Sequence, residues 1–281
     1  MKRLVFSSEG LNDFLGELIG TFILVFFGCG SVAVTVLYYA HTGLFQIAAL
    51  WGIAVTLAIY ATRNISCAHL NPAVSIAMVV ANRMSVKKIP QYLFGQFIGA
   101  FLAAMVLYGL FSSSISNFEA IHGIVRGTPA SIKSAMMFGE FYPNPGFNAL
   151  ASVNTMNAFW AEFIGTFALV FMIFSLTEGC NTGRPDETFS PLFIGGSVTV
   201  IISVIAPLTQ AGLNPARDLS PRLFSYLAGW GQAAFQNDHY GFLTVYVVAP
   251  ILAGVLAALL FRKVIEPIMV KKNSSGNCDC N

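Results

Sequence analysis

Cys67-Ala68-His69-Leu70-Asn71-Pro72-Ala73-Val74 and Gln210-Ala211-Gly212-Leu213-Asn214-Pro215-Ala216-Arg217 carry one tripeptide at two positions 143 residues apart. Each lies in an apolar stretch, around 67–81 and 211–228, that falls short of the roughly 20 residues a membrane-crossing helix needs. Asn is a good helix cap, and Pro suits the first helical position, where its missing N–H costs nothing. A helix from 71 to 82 rises roughly 18 Å, about half a bilayer. The spacing predicts two half-helices, about 71–82 and 214–228.

Around them lie six longer apolar stretches, 12–37, 45–62, 91–112, 156–177, 191–209 and 242–261. The composition demands a lipid-facing surface. Only 10% of the 281 residues are charged and 56% are apolar, with a mean hydropathy of +0.69, whereas soluble domains carry about 25% charge. A net charge of +2 excludes a nucleic-acid binder working through a dense basic surface. The 13% aromatic content excludes intrinsic disorder. The N-terminus, with Lys2 and Arg3, lacks the apolar core of a cleaved signal peptide.

A second repeat supports the first. Gly16-Glu17-Leu18-Ile19-Gly20-Thr21-Phe22 returns as Ala161-Glu162-Phe163-Ile164-Gly165-Thr166-Phe167 at an offset of 145 residues. Two unrelated signals with nearly one period define a duplicated three-span unit. Three spans are an odd number, so the copies are inverted in the membrane. The expected fold is an all-α membrane protein of six transmembrane helices plus two re-entrant half-helices. It forms one domain over 1–281: a first repeat (12–112), an extracellular connection (113–154), a second repeat (156–261) and a cytoplasmic tail (264–281). Eleven of the fifteen basic residues fall on one side of six spans, which places both termini in the cytoplasm. The connection should fold into short helical turns over one mouth of the molecule.

Inversion brings the two half-helices together N-terminus to N-terminus. Irregular backbone at that depth survives only when buried in protein or lining a water-filled cavity, so a pore is expected there. Each half-helix presents roughly +0.5 charge at its N-terminus. Two such ends repel cations, and donors on Asn71 and Asn214 force a passing water to accept from both sides, which interrupts a proton relay. The residues before each Asn are expected to be extended. The carbonyls of Cys67, Ala68, His69, Gln210, Ala211 and Gly212 would then form a ladder of acceptors, facing an apolar wall from spans 2 and 5. A polyol shares that two-sidedness.

Ionisable residues in apolar surroundings are costly and functional by default. Four stand out: Glu17, Glu162, His69 and Arg217. The two glutamates, at equivalent repeat positions, are expected to accept hydrogen bonds from the backbone of the adjacent half-span. His69 reads as a packing histidine with its carbonyl toward the pore. Arg217, matched by Val74 in the first repeat, reads as an unpaired guanidinium filtering solutes at the outer mouth. Five cysteines show no metal-ligand spacing, and Cys278-Asp-Cys280 reads as free thiols in a solvated tail. Histidines at 41, 69, 122 and 239 assemble no catalytic or metal set, so neither an enzyme nor a cofactor is expected.

These residues resemble the aquaporin, or major intrinsic protein, family. The resemblance rests on Gly16-Glu17-Leu18-Ile19-Gly20-Thr21, Ala68-His69-Leu70-Asn71-Pro72-Ala73-Val74, Leu213-Asn214-Pro215-Ala216-Arg217-Asp218 and Leu227-Ala228-Gly229-Trp230-Gly231. Asp218 after Arg217, with the long extracellular loops, is similar to the aquaglyceroporin branch and its bacterial glycerol facilitators. The resemblance implies a homotetramer in the cell membrane with a pore in each subunit, passing glycerol and water, with urea as a further candidate solute. It implies a selectivity filter of Trp51, Ile202, Ala211 and Arg217, a central constriction at Asn71 and Asn214, and supporting roles for Glu17, Glu162 and Asp218. Trp51 and Arg217 match glycerol facilitators. Those channels usually carry Gly at the position of Ile202 and Phe at that of Ala211, and Cys67 stands where Gly is common. The set Trp-Ile-Ala-Arg is close to nodulin-like intrinsic proteins, which implies urea, ammonia or protonated small acids such as lactic acid as alternative solutes. A coupled secondary transporter also uses inverted repeats and broken helices, but would need ion-coordinating groups along the route.

Overall fold

The computed structural model describes residues 8–147, 150–235 and 240–275; Lys2, Arg3, His239, Cys278 and Cys280 lie outside them. Six helices are long and apolar enough to cross a membrane. In order, α1 (Ser8–Tyr38) and α2 (Leu44–Thr62) precede the short α3 (Pro72–Val80) and the long α4 (Ile89–Ile121). A connection carrying α5 (Ile132–Ala135) leads to α6 (Thr155–Thr177), α7 (Ser190–Thr209) and the short α8 (Pro215–Ser225). The last span, Gly241–Ser274, comprises α9 (Gly241–Leu243), α10 (Ala249–Leu260) and α11 (Glu266–Ser275), joined by π-helical turns at Thr244–Val248 and Phe261–Ile265.

Some boundaries differ from the hydropathy reading. α4 runs nine residues past 112, because Ser112-Ser113-Ser114 end the apolar run without breaking the helix. The last helix continues into the expected tail as far as Ser275. The second half-helix ends at Ser225 and turns through Tyr226–Trp230, where Gly229 adopts φ +107°.

The packing repeats in the two halves. α1 lies against α2 and α4, and α6 against α7 and α10. The half-helices, by contrast, cross over: α3 packs on α10 and α8 packs on α4. Each short helix is therefore clasped by the final span of the opposite repeat.

The repeats also meet where α2 crosses α7. A Cβ on Gly52 would stand 2.4 Å from the Gly195 carbonyl oxygen, and one on Gly195 would stand 2.2 Å from that of Gly52. Two backbones this close leave no room for a side chain. Around the crossing, the hydroxyl of Thr56 donates to the carbonyls of Gly52 (3.0 Å) and Pro191 (3.2 Å), while Thr199 donates to Gly195 (3.2 Å). Gly195→Val forces the helices apart, and overpacking of this kind costs about 1–3 kcal/mol or more. The expected result is a lowered unfolding midpoint in detergent, measured beside an exposed-site control such as Gly196→Ala.

Candidate functional site

The two asparagines cap α3 and α8 as their sequence context requires. Asn71 Oδ1 accepts from the Ala73 amide (2.9 Å), and Asn214 Oδ1 accepts from Ala216 (3.0 Å) and Arg217 (3.2 Å). Their amide nitrogens are not wholly free to donate outward. Asn71 Nδ2 donates to the Leu213 carbonyl (2.9 Å) and Asn214 Nδ2 to the Leu70 carbonyl (2.7 Å). Each NH2 carries two hydrogens, so one from each ties the repeats together and one remains. The N-terminal ends of α3 and α8 thus abut, and both amide planes are fixed by bonds on either side.

The segments leading to the asparagines are not extended. Cys67, Ala68 and Leu70 have φ of +75°, +50° and +56°, and their repeat equivalents Gln210, Ala211 and Leu213 have +63°, +61° and +52°. This left-handed region costs a residue with a side chain roughly 1–2 kcal/mol, and six such residues persist only because something holds them. Two carboxylates do. Glu17 accepts from the Ser66 hydroxyl (2.8 Å), the His69 amide (2.9 Å), the Leu70 amide (2.7 Å) and Gln96 Nε2 (2.7 Å). Glu162 accepts from the Thr209 hydroxyl (2.5 Å) and the amides of Gly212 (2.9 Å) and Leu213 (2.7 Å). Both glutamates are fully buried. With the N–H groups gathered behind the segments, their carbonyls are left for the other side.

On that other side runs a cavity of about 450 Å³. Cys67, Ala68, His69, Leu70 and Asn71 line it from one repeat, and Ala211, Gly212, Leu213 and Asn214 from the other. The apolar wall comes from Val55 and Ile59 of α2 and from Ile194, Val198 and Ile202 of α7, joined by Leu24 of α1 and by Leu169 and Ile173 of α6. Gln210 is not part of the lining. Its side chain instead secures the connecting segment, accepting from the Phe141 amide (2.9 Å) and donating to the Met136 carbonyl (3.2 Å). His69 lines the cavity with its ring packed 4.8 Å from that of Tyr92, and Nδ1 lies 3.2 Å from the Ser75 hydroxyl.

Trp51, Ile202, Ala211 and Arg217 all line this cavity, and each is no more than 6% exposed. The Arg217 guanidinium sits 4.4 Å from the centre of the Trp51 ring, a favourable cation–π placement. Trp51 fits because residue 28 is glycine; a Cβ there would stand 2.2 Å from the indole.

Arg217 is paired, contrary to the sequence reading. Its Nη2 forms an ion pair with the Glu140 carboxylate, and Nη1 donates to the Phe138 carbonyl (3.2 Å). Glu140 lies in the connection between the repeats and is 1% exposed. Its amide donates to Asp218 Oδ1 (2.7 Å), and its carbonyl accepts from Arg222 Nη2. Arg222 in turn binds Asp218 through Nε (3.1 Å) and Nη2 (2.7 Å) and donates to the Ala234 carbonyl (2.6 Å). Two guanidiniums and two carboxylates thus form a buried, charge-balanced network. The set of buried ionisable groups around the cavity is larger than the four expected: Glu140, Asp218 and Arg222 belong to it. The signal for Glu140 is one acidic residue inside the apolar run Met136-Met137-Phe138-Gly139-Glu140-Phe141-Tyr142.

At the other end of the cavity stand Arg63, Arg83, Arg184 and Glu187. Arg63 follows α2 and donates from Nη1 to the Glu187 carbonyl (2.6 Å). Arg83 pairs with Glu178 and, at 3.5 Å, with Glu266. The cavity is therefore guarded by arginines at both ends.

Residues 5–261 match the family described as major intrinsic protein. The sequence is 40% identical to the glycerol uptake facilitator protein of Haemophilus influenzae over 95% of each chain. It is 38% identical to a propanediol uptake facilitator of Salmonella typhimurium, over 90% of this chain and 95% of that one. Among solved structures, the aquaglyceroporin of Plasmodium falciparum superposes with a TM-score of 0.80 at 29% identity, covering 93% of this chain and 99% of that one. The chain belongs to the major intrinsic protein family and is a multi-pass membrane protein.

The carboxylate cradle makes a direct prediction. Glu162→Gln replaces one acceptor oxygen with an NH2 that faces N–H donors, and each unsatisfied buried donor costs about 1–3 kcal/mol. Solute flux per inserted molecule, measured by stopped-flow light scattering and normalised to immunoblot, should fall sharply while membrane insertion persists.

Proposed function

We propose that this protein is a passive channel for glycerol and related small neutral solutes, with water, and that it excludes protons and ions. The observation that carries this reading is the two-sided conduit. The Cys67–Asn71 and Ala211–Asn214 segments, whose amides are drawn back to Glu17 and Glu162, line one cavity together with an apolar wall of aliphatic side chains. A polyol that sheds its water there regains hydrogen bonds along one edge and buries its CH groups against the other. The relatives named as glycerol and propanediol facilitators support the same solute class.

Trp51, Ile202, Ala211 and Arg217 form the selectivity filter in this reading. Arg217 donates to hydroxyls, and Trp51 offers an aromatic face. Ile202 and Ala211 set a width with a single large aromatic. Asn71 and Asn214 form the central constriction, each presenting its one uncommitted N–H to the file of solutes. Those donors and the two positive helix ends orient each water outward from the centre, which breaks a proton wire and repels cations. Glu17, Glu162 and Asp218 keep the lining in place. The pairing with Glu140 implies that cation exclusion falls mainly on the half-helix ends, since the charge of Arg217 is partly neutralised. The balance of Lys and Arg puts both termini, and the end carrying Arg63 and Arg184, in the cytoplasm. The assembly is a homotetramer in the cell membrane, with one domain of two repeats (12–112 and 156–261) providing a pore per subunit. Lactic acid, urea and ammonia are the alternative solutes.

Reconstituted protein and a swelling panel of water, glycerol, propanediol, urea and lactic acid test the reading; flux that follows an imposed proton or sodium gradient would instead indicate a coupled transporter. Ala211→Phe should narrow the range of solutes and shift the glycerol-to-urea ratio by about tenfold; an unchanged ratio would remove Ala211 from the filter. Arg217→Ala should admit larger solutes and raise cation leak, read as conductance across a planar bilayer.

A further inference from the structure

The mouth opposite the Trp51–Arg217 pair holds an unequal set of charges. Arg83 is fully committed: it pairs with Glu178 and Glu266, and its guanidinium lies 4.7 Å and 5.6 Å from the rings of Phe174 and Phe261. Arg63 and Arg184 are not. Among the described residues Arg63 is paired with no carboxylate; it donates to the Glu187 carbonyl (2.6 Å) and lies 5.8 Å from the centre of the Tyr60 ring. Arg184 has Glu187 at 3.6 Å, long for an ion pair, and that glutamate side chain is 80% exposed. Both arginines line the cavity, and Glu187 touches both, so the two guanidiniums share one end of the conduit.

A guanidinium presents a planar fork of N–H donors that matches a tetrahedral oxyanion and binds it through paired, charge-assisted bonds. The conduit that opens beside these forks is the one argued above to accept a polyol. We propose that this mouth is a binding site for a phosphate monoester of a small polyol, its phosphate held by Arg63 and Arg184 and its hydroxyl end entering the conduit. This rests on the channel reading given above. The phosphate is too strongly hydrated to follow its own hydroxyls through the aliphatic passage, so the ester plugs the mouth instead of crossing. Phosphoryl transfer to the conducted solute inside the cell yields this class of molecule, and its accumulation would slow further entry.

The test uses the full chain in proteoliposomes equilibrated on both sides with glycerol 3-phosphate, with inorganic phosphate, or with sodium chloride at matched ionic strength. Glycerol flux should fall by about half at around millimolar ester, with inorganic phosphate weaker and chloride without effect. Arg63→Gln and Arg184→Gln, each normalised to its own phosphate-free flux, should relieve the block; if Arg63→Gln fails to insert, Arg184→Gln decides. No block, an equal block by chloride, or a full block surviving in the inserted variants would overturn the site. Equal potency of phosphate and ester would remove the polyol half of the proposal. Phosphorus NMR line broadening on purified protein reads the site without flux. Arginine-dependent broadening in a protein that passes no glycerol would overturn the channel reading and keep the anion site.

Discussion

Two buried carboxylates hold this molecule open. Glu17 and Glu162 each collect backbone amides from a segment that has left helical geometry in the middle of a membrane protein, together with the Ser66 or Thr209 hydroxyl that precedes it. Lipid offers no partner for such amides, and helices cannot supply one across a gap. A carboxylate, acceptor-only and able to take several bonds, is the side chain that satisfies them at once. Its own desolvation is opposed by those charge-assisted bonds. The left-handed residues, the abutting half-helices and the cavity all follow from this arrangement.

The duplication made much of this legible. Apolar runs of two lengths mark the spans and the half-helices, and two offsets of nearly equal size add the inversion, the meeting point and the pairing of the repeated glutamates. What the sequence does not express is local and geometric. Six residues other than glycine adopt positive φ before the asparagines, at Cys67, Ala68, Leu70, Gln210, Ala211 and Leu213, and no residue type there announces it. The carboxylates impose that conformation from helices roughly 50 residues away in sequence. Likewise Asn71 and Asn214 read as caps with outward donors, yet half of each donor is spent on a carbonyl of the other repeat. That bond exists only once both halves are placed.

The mouth lined by Trp51 and Arg217 shows the same limit in electrostatic form. Arg217 has no basic counterpart in the first repeat, which singles it out, but its partner Glu140 comes from the connection, the part of the chain without repeat symmetry. The network of Arg217, Glu140, Asp218 and Arg222 joins that connection to α8 and balances charge in a buried setting. Removing one member would strand the others, since breaking a buried pair leaves an uncompensated charge. The connection is therefore part of the pore wall's foundation and not a cover laid over it.

The crossed clasp of α3 by α10 and of α8 by α4 sets an order for biogenesis. The first re-entrant segment emerges from the ribosome long before the helix that will hold it, because about 170 residues separate Pro72 from Gly241. Until that final helix is threaded into the bilayer, the early hairpin has no permanent seat and must wait in a provisional one. Neither half can mature alone, and the passage closes around its axis only once the Gly241–Ser274 helix is in place.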